Sequence, residues 1–182
     1  CNLDSFNDAR QAAVEHGFAH YILDIREEFG DFVIENFVEE YLAGRTPNPC
    51  VMCNTHIKWR ALLKRADAMG CDFIATGHYA QVLQHDNGRY FIRKGIDDTK
   101  DQSYALWGLQ QDLLSRTLLP LGTYHKKEIR QMAHDFGYPE LAKKNESYEI
   151  CFVPDNDYRG FLKRKVDGLE ERVDGGNFVD KA

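Results

Sequence analysis

The chain has 182 residues, 43% of them apolar, and carries 23 basic against 29 acidic side chains for a net charge of −6. This length allows one full hydrophobic core, or one domain with part of a second. The negative charge excludes a generally basic surface, so a polyanion would have to bind at local basic patches. No apolar run approaches the roughly 18 residues of a membrane span.

The cysteines are odd in number and irregularly spaced, which argues against a secreted disulfide framework. We therefore expect reduced thiols and a cytoplasmic location. The five are Cys1, Cys50, Cys53, Cys71 and Cys151.

The first part of the chain alternates predicted helices with a strand. A capping serine, several alanines and a terminal glycine predict a helix from Ser5 to Gly17. Consecutive apolar residues predict a short strand from Ala19 to Ile25. Apolar residues at steps of three and four then predict an amphipathic helix from Asp31 to Ala43, ending at Gly44.

A proline-stiffened loop with two cysteines follows this helix. Two prolines make Thr46 to Pro49 a rigid, non-helical run ahead of a helix predicted from Ile57 to Met69. Asn54 or Thr55 is the expected N-cap of that helix. Cys53 would then lie beside the positive end of the helix dipole, where a thiolate is favoured.

The next segment predicts a strand that ends at a ligand site. Cys71 to Thr76 is compact and mostly apolar, and it runs directly into Gly77-His78-Tyr79. The order of helices and strands so far is typical of a parallel α/β sheet, in which ligands bind beyond the carboxyl ends of the strands. The alternative is a tight turn with a solvent-facing histidine.

After this point the sequence predicts a β-hairpin and then short helices. A β-hairpin is predicted from Gln81 to Arg93, with its turn at Asp86-Asn87-Gly88. A helix through Ala105, Leu106 and Leu109 is expected next, followed by helices at Gln111 to Ser115 and His125 to Phe136. We therefore predict an α/β domain over residues 1–95, a small, mainly helical domain over 96–166, and a linker over 167–182.

Simpler explanations exist for the cysteines. Cys50, Cys53 and His56 have the ligand types of a zinc module but lack an evident fourth ligand. A thioredoxin-like redox pair is also possible, although that motif directly follows a strand. Cys151, among Ile150 and Phe152, has the sequence context of a small buried hydrophobe.

Seven short motifs occur along almost the whole chain. They are Gly44-Arg45-Thr46-Pro47-Asn48-Pro49, Cys53-Asn54, Ile57-Lys58, Ala75-Thr76-Gly77-His78-Tyr79, Lys100-Asp101-Gln102-Ser103-Tyr104, Pro120-Leu121-Gly122 and Glu149-Ile150-Cys151-Phe152. Together, and in this order, they closely resemble the tRNA-specific 2-thiouridylases. The resemblance implies an adenine-nucleotide alpha hydrolase (ATP-pyrophosphatase) domain. It also implies ATP-dependent adenylation of the wobble uridine of tRNA and replacement of its 2-oxygen by sulfur.

The resemblance also assigns site residues. Cys53 and Cys151 match the two catalytic cysteines, and Cys151 would carry a persulfide loaded by an upstream sulfur carrier or cysteine desulfurase. Gly77 matches a nucleotide-contacting glycine, and His78 a residue next to the reacting base. The remaining matches are to the segment that touches the target uridine, Asn48, Pro49 and Cys50, and to a tRNA-contacting segment, Lys100, Asp101 and Gln102.

The sequence departs from the family pattern in three ways. Some relatives carry Asp where this chain has Cys50. The family's Ser-Gly-Gly-x-Asp-Ser loop, which would hold ATP with its Mg²⁺, does not occur here, and neither does a closing β-rich domain. We therefore expect a fragment that cannot adenylate RNA by itself. The alternatives left open are the zinc module and another enzyme of the ATP-pyrophosphatase fold, such as an amidotransferase type.

Overall fold

The computed structural model describes residues 3–144 and 150–172. Residues 3–24 and 150–172 form one compact unit, and residues 25–144 form another. In chain order the helices are α1 (Leu3–Glu15), α2 (Arg26–Phe29), α3 (Glu35–Leu42), α4 (Pro49–Met52), α5 (Trp59–Ala68), α6 (Gln111–Leu114), α7 (Lys126–Asp135), α8 (Pro139–Lys143), α9 (Tyr158–Lys165) and α10 (Leu169–Arg172). The strands are β1 (Ile74–Ala75), β2 (Ala80–Gln84), β3 (Tyr90–Lys94) and β4 (Thr117–Leu118).

Wide π-helical turns join consecutive helices into two longer ones. Gly30–Ile34 connects α2 to α3, and Cys53–Lys58 connects α4 to α5. The first of these long helices confirms the helix predicted from Asp31 to Ala43, although it begins earlier, at Arg26. Gly44, with a φ of +74°, follows its end, as expected for a glycine that closes a helix in the left-handed conformation.

The second long helix begins at Pro49, well before the predicted start at Ile57. Asn48 is its N-cap, because the Asn48 side-chain oxygen accepts a hydrogen bond of 3.4 Å from the backbone N–H of Val51. Proline is favoured at the first helical position, where its missing N–H costs nothing. The prediction of Asn54 or Thr55 as the N-cap is therefore wrong, and the non-helical run ends at Asn48.

The strands form two small sheets within the larger unit. β1 pairs with β4 in parallel, with Ile74 opposite Thr117. β2 and β3 form the predicted antiparallel hairpin, whose turn contains Gly88 at a φ of +82°. The predicted α/β class with a parallel sheet is confirmed, although the parallel pair is shorter than the strand expected from Cys71 to Thr76.

The core of this unit is built between the α4–α5 helix and the strands. Trp59 has no exposed surface, and its indole Nε1–H donates a 2.7 Å hydrogen bond to the hydroxyl of Thr117. The Thr117 hydroxyl donates in turn to the carbonyl of Leu113 at 2.7 Å. The other members of the buried cluster are Leu63, Ala66, Ile74, Ala80, Leu106, Leu109, Leu113 and Leu114.

Short hydrogen-bonded segments link the hairpin to the residues that follow it. The N–H of Ile96 donates to the carbonyl of Gly122 at 3.0 Å. The 3₁₀ turn Pro120–Thr123 contacts β2. The helices predicted at Gln111 to Ser115 and His125 to Phe136 are confirmed as α6 and α7. The predicted domain limits at residues 95 and 166 remain predictions.

Two predicted elements are wrong. The segment from Ala19 to Ile25 has no regular secondary structure, and Tyr21 and Ile22 are exposed. A strand needs a hydrogen-bonded neighbouring strand, and none of the four strands in the described residues pairs with this segment. The helix expected through Leu109 is one 3₁₀ turn, Ser103–Ala105, followed by a separate turn in which the N–H of Leu109 donates to the carbonyl of Leu106 at 3.1 Å.

The smaller unit has its own apolar contacts. In it α9 is capped by Asp157, whose carboxylate accepts a 2.8 Å hydrogen bond from the N–H of Gly160. Phe152 and Phe161 pack with their ring centroids 5.4 Å apart, and Val153 is buried. None of the helices in the described ranges is long and apolar enough to cross a bilayer.

Two glycines provide a matched test of this packing. A Cβ added at Gly122 would overlap the carbonyl oxygen of Ala80, whereas a Cβ added at Gly30 would meet nothing within 4 Å. We expect Gly122→Ala to lower the free energy of unfolding by about 1–3 kcal/mol, because the backbone of β2 must move. Gly30→Ala should be neutral or stabilising by up to about 1 kcal/mol, because alanine is the better helix former.

Urea unfolding of both variants measures these changes. Equal stability of the Gly122→Ala variant and the unmodified protein would show that β2 does not lie against the 3₁₀ turn.

Candidate functional site

Cys53 lies inside a long helix and not on a loop. It is the first residue of the π turn Cys53–Lys58 and is partly buried, while Cys50 is exposed one turn earlier. The expected placement of Cys53 at a helix N-terminus is therefore wrong, because the helix starts at Pro49. The wide turn instead gives this cysteine a fixed backbone. π turns inserted in α-helices are frequent at functional sites.

The residue after Cys53 fixes this turn to a neighbouring segment. Asn54 is 1% exposed, and its side-chain Nδ2–H donates a 3.0 Å hydrogen bond to the carbonyl of Ala105. Its Oδ1 atom accepts no hydrogen bond from the described residues. The amide therefore ties the helical turn that carries Cys53 to the 3₁₀ turn Ser103–Ala105.

His78 lies between a hydroxyl and an indole. Its Nδ1 atom is 2.8 Å from the hydroxyl of Thr76, and its ring centroid is 5.4 Å from that of Trp59. Burial, assisted by the positive charge of Lys58, lowers the pKa of His78 from 6.5 to about 4. The imidazole is therefore neutral near pH 7. In that state it can donate or accept a hydrogen bond but carries no charge.

Gly77 leaves the backbone open next to this histidine. It is exposed, and a Cβ added there would make only ordinary contact with Leu121, at 3.6 Å. The protein's own packing therefore does not require glycine here, and the open backbone allows close approach of a ligand.

The predicted Lys100–Gln102 segment is hydrogen-bonded to Tyr79, the residue that directly follows His78. The N–H of Tyr79 donates to the side-chain oxygen of Gln102 at 3.0 Å, and the N–H of Gln102 donates to the carbonyl of Tyr79 at 2.9 Å. The structure thus brings Gln102 beside the Gly77-His78 turn. Lys100 is half-buried.

Asp101 organises the loop that holds this segment. Its carboxylate accepts hydrogen bonds from the Ser103 hydroxyl at 2.7 Å and from the N–H of Gly95 at 3.1 Å. Burial acts to raise the pKa of Asp101, but these hydrogen bonds outweigh it and hold the pKa below its ordinary value. The carboxylate is thus engaged in shaping the loop.

Cys151 belongs to the smaller unit. It is exposed in a turn in which the N–H of Val153 donates to the carbonyl of Ile150 at 2.9 Å. The interpretation of this cysteine as a small buried hydrophobe is therefore wrong. The first residue of the predicted motif, Glu149, lies outside the described residues.

No group of three or more His, Cys, Asp and Glu side chains in residues 3–144 and 150–172 is arranged to hold a metal ion. His56, considered above as a zinc ligand, stacks on Phe32 with ring centroids 5.3 Å apart and an interplanar angle of 8°.

Sequence reasoning missed three residues that support this site. Trp59 packs on His78, Thr76 lies within hydrogen-bonding distance of it, and Asn54 fixes the turn of Cys53. Thr76 could have been found from its position two residues before the histidine, at the end of a predicted strand. Asn54 was predicted only as an N-cap and as part of a family motif. No local pattern pointed to its bond to Ala105, or to Trp59, since both residues act on segments distant in sequence.

The fold and site together define an α/β protein with a cysteine on a wide helical turn in the unit that also holds a half-buried, neutral histidine. Residues 1–155 match the family described as tRNA methyl transferase HUP domain. The chain belongs to that family, and the predicted α/β fold class agrees with it.

Relatives of known name support a narrower grouping. The chain is 69% identical over 98% of its length to the tRNA-specific 2-thiouridylase MnmA of Amoebophilus asiaticus, of which it covers 47%. It is 68% identical to the protein of the same name from Cytophaga hutchinsonii, again over 98% of this chain and 48% of the relative. The protein of that name from Salinibacter ruber is 63% identical, over 98% of this chain and 47% of the relative.

These relatives confirm the resemblance to the tRNA-specific 2-thiouridylases noted in the sequence. The chain spans about half the length of the curated relatives it matches.

The lowered pKa of His78 can be tested directly. NMR titration should show the ring neutral down to about pH 4, and Lys58→Met should raise this pKa while leaving it below 6.5, because burial is the larger cause. Because protonation is disfavoured in the folded state, the contribution of His78 to stability is complete above pH 6.5 and is lost as the pH falls towards 4.

Lys64→Met, which removes another exposed lysine of the same long helix, is the matched control and should leave the titration unchanged. Titration of His78 near 6.5 in the unmodified protein would mean that its ring is not buried.

Proposed function

We propose that this protein replaces the 2-oxygen of the wobble uridine of tRNA by sulfur. The single observation that carries the proposal is the 69% identity, over 98% of the chain, to a protein named as a tRNA-specific 2-thiouridylase. Cys53 and Cys151 are the proposed catalytic pair. The partial burial of Cys53 on a fixed turn and the exposure of Cys151 suit unequal roles in sulfur transfer.

ATP, bound with Mg²⁺, would supply the adenylyl group. The uridine 2-oxygen attacks the α-phosphate and pyrophosphate leaves, which makes the oxygen part of a good leaving group. The open backbone at Gly77, at the carboxyl end of β1, supports a nucleotide contact there. His78 would lie next to the reacting base, where a neutral imidazole can hydrogen-bond without adding charge.

Sulfur would arrive as a persulfide on Cys151, loaded by a sulfur-carrier protein or a cysteine desulfurase. In one route its outer sulfur attacks C2 of the base and AMP leaves; Cys53 thiolate then attacks the Cys151 sulfur and releases the thiolated base. In the other, Cys53 attacks the persulfide first and the released sulfide attacks C2. Both routes oxidise the two cysteines to one disulfide, which an external thiol must reduce.

Asn48, Pro49 and Cys50 would contact the target uridine. All three lie at the start of the helix that carries Cys53, and Asn48 and Cys50 are exposed. At position 50 this chain has a thiol where some relatives carry a carboxylate. The proposal therefore assigns no general acid or general base role to Cys50. Lys100 would contact a tRNA phosphate, with Asp101 and Gln102 shaping the loop around it.

Single substitutions of the two cysteines test the proposal. Cys53→Ala and Cys151→Ala should each reduce 2-thiouridine in cellular tRNA to background, because each removes one sulfur of the exchange. Cys71→Ala, which removes another exposed thiol, is the control and should leave the level unchanged. The measurement is mass spectrometry of tRNA nucleosides from cells that carry only the variant gene. Unchanged thiolation in either catalytic variant would refute the proposed pair.

The disulfide intermediate gives an independent test. Mild oxidation of the complete protein should produce a peptide that joins Cys53 to Cys151, detected by non-reducing peptide mapping. The Cys71→Ala variant should still form it. If Cys53 pairs with another cysteine and Cys151 stays reduced under every condition that permits turnover, the exchange described above does not occur.

A further inference from the structure

The segment from Tyr104 to Leu109 has two chemically different sides. Leu106 and Leu109 enter the core, whereas Tyr104 is 61% exposed and Trp107 is 76% exposed. Trp107 has the largest exposed fraction among the exposed large apolar side chains of the described residues. The two rings lie three residues apart on one segment and so present a small aromatic surface that a ligand could cover.

The backbone under these two rings is held in place. The carbonyl of Ala105 accepts the 3.0 Å hydrogen bond from Asn54, and a Cβ added at Gly108 would overlap the hydroxyl of Thr55. Leu106 has no exposed surface. The exposure of Tyr104 and Trp107 is therefore a feature of an anchored segment, and a ligand would meet rings on a fixed backbone.

The two residues that hold this segment, Asn54 and Thr55, are also neighbours of the proposed reaction site. Asn54 and Thr55 directly follow Cys53, and the 3₁₀ turn Ser103–Ala105 contacts helix α4 (Pro49–Met52). The two rings are thus mounted beside the residues proposed to touch the target uridine.

Most of the carboxylates in residues 97–101, just before this segment, form hydrogen bonds within the protein. Asp101 is hydrogen-bonded within the loop, and Asp97 accepts hydrogen bonds from Thr99 and from the backbone N–H of Lys126. Asp98 is an exposed carboxylate, and Lys100 is the cation of the segment. Recognition here would therefore rest on aromatic surface more than on charge.

We propose that Tyr104 and Trp107 form a stacking platform for unpaired bases of the RNA next to the base that reacts at Cys53. This inference rests on the proposed function for the identity of the partner. Single-stranded RNA is recognised largely by stacking of its splayed bases on aromatic side chains. Such stacking tolerates any sequence, because every base has a π face. The platform would hold the flanking nucleotides while the target base is turned towards Cys53.

The two tryptophans of the chain make the test specific. Trp59 has no exposed surface and Trp107 is 76% exposed, so RNA stacking should quench only the Trp107 fluorescence. The probe is an anticodon stem-loop RNA titrated into the complete product of the gene. The quenching should disappear in Trp107→Phe. It should also be absent with an oligonucleotide of equal phosphate number whose loop lacks bases.

Binding measurements separate stacking from a merely structural role. Trp107→Ala and Tyr104→Ala should each weaken stem-loop binding about tenfold, whereas Trp107→Phe should keep most of the affinity because phenylalanine still stacks. The salt dependence should not change, since no phosphate contact is lost. Phe136→Ala removes a 67% exposed aromatic from the end of α7 and should have no effect.

Unchanged affinity in Trp107→Ala and Tyr104→Ala would overturn the platform while leaving the thiolation proposal intact, since nucleoside analysis tests thiolation independently. Trp107 signals that depend on protein concentration without RNA would identify a second copy of the chain as the partner and also overturn it. Failure of the unmodified protein to bind the stem-loop would count against both proposals.

Discussion

The site depends on one buried hydrogen bond, from the indole of Trp59 to the hydroxyl of Thr117. It joins the helix that carries Cys53 to strand β4, which pairs with β1 just before His78. A buried indole N–H without an acceptor would cost about 1–3 kcal/mol. The helix and the sheet are therefore held in one relative position. The same indole packs on His78, so one side chain fixes both the framework and the environment of the histidine.

The packing of Trp59 on His78 also changes the proton affinity of the histidine. Burial lowers the pKa of His78 to about 4, and the Thr76 hydroxyl lies 2.8 Å from its Nδ1 atom. The other ring nitrogen, Nε2, donates or accepts according to the tautomer. An uncharged imidazole can exchange hydrogen bonds with neutral donors and acceptors, whereas a cation would attract any phosphate.

The sequence predicted what local patterns encode. The hairpin at Asp86-Asn87-Gly88, helix α7 and the family resemblance all depend on residues close together in the chain, and all are confirmed. The start of the Cys53 helix was missed, because Asn48-Pro49 was interpreted as a rigid loop when it is a cap followed by a proline at the first helical position. The supporting roles of Asn54 and Trp59 could not be predicted, because their partners, Ala105 and Thr117, are distant in sequence.

The wide turn at Cys53–Lys58 also affects how the chain can vary. A π turn is in effect one residue inserted into an α-helix, and each residue of a helix turns the direction of the side chains by about 100°. Deleting a single residue from this turn would leave a continuous helix of good geometry. It would nevertheless remove the wide turn at whose first residue Cys53 now lies. Insertions and deletions here should therefore be far rarer than substitutions.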